Sequence, residues 1–92
     1  MIDNLSDHAE FTATMLSDNA RKLYETVTNY MTHRNLTSIW AYDNQISRST
    51  RLTLPKLHFA QCELSRSGLM VLTPGECQTR YELPDEAEAE QL

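Results

Sequence analysis

His58 and Cys62 stand four residues apart, a spacing that on a helix turns two metal ligands to one side. No second pair with ligand spacing answers them, because His8, His33 and Cys77 are isolated. A zinc site is therefore not expected. Nothing gathers the three histidines into a hydrolase triad, and there is no glycine-rich phosphate loop, GxSxG elbow or HExxH. We read the chain as a non-enzyme that requires neither cofactor nor metal. The remaining run with chemical character is polar and basic: Ser47-Arg48-Ser49-Thr50-Arg51-Leu52-Thr53, followed closely by Lys56.

The elements flanking that run must position it. Ala20, Leu23, Tyr24, Val27, Tyr30 and Met31 form one apolar stripe on a 3.6-residue period, predicting a helix over residues 18–32 with Tyr24 and Tyr30 in the core. Ser17 or Asp18 can cap it, and His33, Arg34 and Asn35 can end it. Thr37 or Ser38 can open a second, shorter helix to about Asn44, with Ile39, Trp40 and Tyr42 as its apolar members and Trp40 in the core. Residues 47–53 lack a clear period and read as a loop or turn. Leu57, Ala60 and Leu64 give a third helix from Leu54 to Ser67, capped by Thr53, tolerant of Pro55 in its first turn and stopped by Gly68. The period then falls to two. Leu69 to Leu72 is a short strand, and Thr73-Pro74-Gly75-Glu76 is a turn in which glycine accepts a positive φ. Thr79 to Leu83 is the return strand, with Tyr81 and Leu83 on one face and Arg80 and Glu82 on the other.

Composition sets the bounds. Ninety-two residues make one domain; 40% are hydrophobic and 23% charged, enough for a core and too apolar for a disordered chain. We divide it into an N-terminal segment over residues 1–16, with a candidate helix capped by Ser6 or Asp7, a domain over residues 17–84 and an acidic disordered tail over residues 85–92. No secretory signal or membrane span is visible, and Cys62 and Cys77 are not in a CxxC pair. Two free thiols in a reducing cytoplasm is the plain reading, one disulfide between them the alternative. The formal charge is −5, yet all eight basic residues lie between Arg21 and Arg80. Seven of the thirteen acidic residues lie near the ends, so residues 11–84 carry a net charge of +2.

The order helix, helix, loop, helix and β-hairpin makes a mainly α domain with a small β-hairpin, an α+β fold. It resembles the winged helix-turn-helix family of DNA-binding domains over about residues 18 to 84. The resemblance rests on Leu36-Thr37-Ser38 opening the second helix, Ser47-Arg48-Ser49-Thr50 near the turn, Leu57…Leu64…Ser67-Gly68-Leu69 closing the third helix, and Thr79-Arg80-Tyr81-Glu82-Leu83 as the wing's return strand. It implies that the third helix enters the major groove while the hairpin touches the neighbouring backbone. Carried over, Arg48, Ser49, Thr50, Arg51 and Thr53 lie near phosphates. Lys56, His58 and Gln61 are candidates for base or phosphate contact, and Arg80 serves the wing. The alternative for each is an ordinary solvated surface, which for His58 and Gln61 outweighs contact. Two features depart from the family. Pro55 would break a helix that began at Ser49, so either the turn is long or the recognition helix starts late. Phe59 lies opposite Leu57 and Leu64; it packs beneath the N-terminal segment or anchors a protein partner.

Two functions follow. One is a sequence-specific double-stranded DNA-binding regulator of bacterial or phage type, with a homodimer formed through Phe11, Met15 and Leu16 as a candidate state. The other is a protein-interaction module on the same fold, such as a phage-encoded inhibitor or accessory protein that does not bind DNA.

Overall fold

The computed structural model describes residues 16–84. The leading helix expected before residue 16 and the acidic tail of residues 85–92 lie outside the described residues. Six elements follow in order: α1 (Asp18–His33), β1 (Ser38–Tyr42), α2 (Asp43–Thr50), α3 (Leu54–Ser67), β2 (Val71–Pro74) and β3 (Gln78–Glu82). Three helices pack on one face of a three-stranded antiparallel sheet of order β1-β3-β2, an α+β, winged-helix-like fold.

α1 forms as its stripe predicts, burying Ala20, Leu23, Val27 and Met31. Ser17 caps it: the Ser17 hydroxyl accepts from the Ala20 N–H at 3.2 Å. At the other end Asn35 adopts a left-handed φ of 56°. The Leu36 N–H donates to the Met31 carbonyl at 2.9 Å and the Asn35 N–H to that of Thr32 at 3.2 Å, the pattern of a Schellman stop. Tyr24 packs at the core margin, but Tyr30 is 46% exposed beneath the Arg34 guanidinium, whose carbon lies 4.0 Å from the ring centroid. Tyr30 is thus outside the core that its place in the stripe predicts, and its ring face meets a cation instead.

The segment after α1 differs from the sequence expectation. Residues 38–42 are a strand, not a helix, and the small β-hairpin is therefore part of a three-stranded sheet. Ile39 and Ala41 face inward against Tyr81 and Thr79, while Trp40 and Tyr42 face outward opposite Arg80 and Gln78. Trp40 is thus 53% exposed rather than core. The helix starts later, at Asp43, and takes up Ser47-Arg48-Ser49-Thr50, which had read as a loop. Its polar character reflects a helix burying little beyond Ile46 and Thr50.

Arg51, with a left-handed φ of 63°, ends α2 and turns the chain. Leu52 then drops into the core, its N–H donating to the Ser47 carbonyl at 3.1 Å. Thr53 caps α3, which begins at Leu54 with Pro55 in its first turn, so of the two expectations it is the late-starting third helix that is found. Leu57, Ala60 and Leu64 are buried, and Gly68 stops the helix at φ 79°. In the hairpin the left-handed position falls on Cys77 (φ 63°), not on Gly75. Gly75 is small for another reason: a β-carbon there would stand 3.0 Å from the Trp40 ring.

Candidate nucleic-acid interface

α2, the turn at residues 51–53 and α3 form a helix-turn-helix whose inner side carries Ile46, Thr50, Leu52, Leu57, Ala60 and Leu64. Its outer side is fixed by the same periodicity. Arg48 and Ser49 project from the end of α2, and Arg51 and Thr53 from the turn. Lys56, His58, Phe59, Cys62 and Arg66 project from α3.

Arg48, Arg51, Lys56 and Arg66 are exposed, and none makes an ion pair among the described residues. The two carboxylates of the same unit are engaged elsewhere. Glu63 receives the Ser17 N–H and the Ser17 hydroxyl, each at 2.7 Å, joining α3 to the start of α1. The backbone bond first, then the hydroxyl, holds its carboxyl below the usual range. Asp43 accepts from the Thr79 hydroxyl at 3.0 Å and lies 3.7 Å from His58 Nε2. Unpaired cations therefore dominate the outer face of the helix-turn-helix.

Three of the residues expected at a DNA surface stand otherwise. Thr50 is buried, and its hydroxyl donates to the Ile46 carbonyl at 2.7 Å. Gln61 turns toward the sheet. Its amide nitrogen donates to the Tyr81 hydroxyl at 2.8 Å and the Thr79 hydroxyl at 3.3 Å. Arg80 lies on the sheet face opposite the helices, because its neighbours Thr79 and Tyr81 point inward, and it pairs with Glu82 at 3.3 Å. The hairpin loop, Gly75-Glu76-Cys77, brings an acidic residue and no basic one.

Arg48, Ser49, Arg51, Thr53, Lys56 and His58 are exposed along one unit; Thr50, Gln61 and Arg80 are not part of that surface. Thr53 also serves as a cap, accepting from the Lys56 N–H at 3.4 Å. Phe59 is 79% exposed, so no described residue covers it. Sequence reasoning omitted Arg66 from the candidates, although its spacing from Phe59 and Cys62 already placed it on their face. It also missed the polar chain Asp43–Thr79–Gln61–Tyr81, whose members are up to 38 positions apart and share no local signal. Cys62 and Cys77 are both free and exposed. No group of three or more candidate metal ligands gathers among the described residues, and no described helix is long and apolar enough to cross a membrane.

No protein-family model, curated protein or solved structure matches this chain.

Proposed function

We propose that the domain binds double-stranded DNA through the outer face of α2 and α3, and acts as a sequence-specific transcriptional regulator without catalysis. The observation that carries this reading is the set of four cations, Arg48, Arg51, Lys56 and Arg66, that make no ion pair among the described residues and lie on one helix-turn-helix. Such cations neutralise phosphates and release counterions. The exposed arc of α3 is the part of this fold that fits a major groove, where His58 and Arg66 can meet base edges or phosphates. Ser49 and Thr53 supply hydroxyls at the flank.

The test is a fluorescence-anisotropy titration of random-sequence duplex DNA. Arg48→Glu together with Arg51→Glu should weaken binding by at least about tenfold, since each reversal replaces a phosphate contact with repulsion. Unchanged affinity would remove this surface from the reading.

One observation favours a second reading. Phe59 is 79% exposed at the middle of the same face, a large apolar group of the kind that anchors protein interfaces. A protein-interaction module is the function to which failure of duplex binding at low salt would lead.

A further inference from the structure

β1 is an edge strand, and its ladder with β3 fixes which backbone groups remain open. The Asp43 N–H donates to the Cys77 carbonyl at 3.0 Å, and the Leu83 N–H to the Thr37 carbonyl at 2.9 Å. Bonded and non-bonded pairs alternate in an antiparallel ladder. With residues 43 and 77, and 37 and 83, as bonded pairs, Ile39–Tyr81 and Ala41–Thr79 are bonded too. The N–H and C=O of Ser38 and Trp40 and the N–H of Tyr42 then point away from β3, and no turn, loop or cap among the described residues takes them up. The Tyr42 carbonyl, at the N-cap of α2, serves the first turn of that helix.

Edge strands are usually blunted by charge, proline, a bulge or short length. β2, at the other edge, has four residues and ends in Pro74. β1 has none of these devices, and residues 35–42 carry no charge at all. Its flank is apolar and open: Tyr30, Leu36, Trp40 and Tyr42 are 42–59% exposed. A groove of about 430 Å³ runs along the edge, lined by Thr26 and Tyr30 of α1 and by Gln45 and Ser49 of α2.

We propose that β1 pairs antiparallel with β1 of a second copy about a two-fold axis at Trp40, giving one continuous sheet of order β2-β3-β1-β1-β3-β2. This register sets Trp40 opposite Trp40 and Ser38 opposite Tyr42 of the second copy. Trp40 becomes a bonded pair with its counterpart, and each Tyr42 N–H meets the Ser38 carbonyl of the other copy, about four new backbone hydrogen bonds. Ile39 and Ala41 of both copies continue the inner face, over the groove. A neutral strand meets itself without like-charge opposition. The acidic residues of positions 85–92 would instead bring carboxylates to a groove lined by no cation. The pairing does not depend on DNA binding.

Sedimentation of the full chain, with residue-resolved amide exchange at low and high concentration, tests the proposal. The expected mass at high concentration is twice the 10.6 kDa of one chain. Exchange at Trp40 and Tyr42 should slow as concentration rises, while Ile39 and Ala41 are protected throughout. Trp40→Lys, which opposes two ammonium groups at the axis, should weaken association at least about tenfold. A 10.6 kDa species at all concentrations would overturn the pairing. So would a dimer whose Trp40 and Tyr42 amides exchange fast, or one indifferent to Trp40→Lys, which would point to another face. If the variant does not fold, the wild-type exchange pattern decides alone.

Discussion

Tyr81 illustrates how a single residue can hold an interior in place and withdraw another from the surface. Its ring is fully buried on the central strand, and its hydroxyl accepts from the amide of Gln61, a residue the sequence offered as one candidate for DNA contact. Burial raises the phenol from 10.0 to about 12, opposed by the Gln61 bond and reinforced by the nearby Asp43 carboxylate. A raised phenol pKa means that the fold favours the neutral form. The associated stability is fully present below pH 10.0 and is lost as pH rises through about 12, because the unfolded chain releases its proton first. Tyr81→Phe should remove that alkaline loss while costing about 0.5–1.5 kcal/mol at neutral pH, through the hydrogen bond no longer made. Denaturant midpoints of both proteins between neutral pH and pH 12 make the comparison. Parallel pH profiles would show that Tyr81 is not the group responsible.

At the scale of elements, the critical joint is the turn between α2 and α3. Arg51 serves there in two capacities: it occupies a left-handed position, and it is one of the four cations with no ion pair among the described residues. Glycine relieves the steric cost of that φ but loses more entropy on folding, and the two effects nearly offset. Arg51→Gly should therefore change stability by less than about 1 kcal/mol while weakening duplex binding. A loss of several kcal/mol in chemical denaturation would mean that the arginine side chain is itself structural. The same joint marks where the sequence was legible and where it was not. α1 and α3 announce themselves by stripe, cap and stop, all of which act within a few residues: Ser17 and Ala20, Thr53 and Lys56, Gly68. β1 does not, because what makes Ser-Ile-Trp-Ala-Tyr a strand is β3, some 40 positions later. Its alternation of Ile39 and Ala41 with Trp40 and Tyr42 was visible, but over five residues that pattern also suits a helix turn. Once 38–42 is a strand, Ser47–Thr50 belongs to α2, and the conflict posed by Pro55 disappears. Arg48, Arg51 and Lys56 were legible from their clustering in the sequence, while Arg66, a full helical turn or more away, was not. The face of Arg80, opposite Tyr81, was legible from strand alternation, but its pairing with Glu82 and the inward turn of Gln61 were not.

Across the whole molecule, charge is segregated rather than balanced. The described residues carry eight basic and six acidic groups, whereas the formal charge of the chain is −5. Asp85, Glu86, Glu88 and Glu90 account for four of those negative charges, so a chain ending at Pro84 has a formal charge of −1. If the cations of α2 and α3 meet phosphates, the acidic residues oppose the approach of DNA through a long-range field that salt screens within about 10 Å at 0.1 M. Removing residues 85–92 should then tighten duplex binding at low ionic strength and make little difference at high ionic strength. Direct contacts set a separate quantity. Four cations at phosphates give a slope of log K against log salt of roughly −3.6, and loss of Arg48 and Arg51 should bring it near −1.8. Anisotropy titrations across a salt series, with the full chain, the shortened chain and the double variant, separate the two effects. An affinity gap between full and shortened chains that persists at high salt would mean that the acidic residues occlude the site by contact rather than by field. A slope unchanged in the double variant would mean that the phosphates are met by other cations.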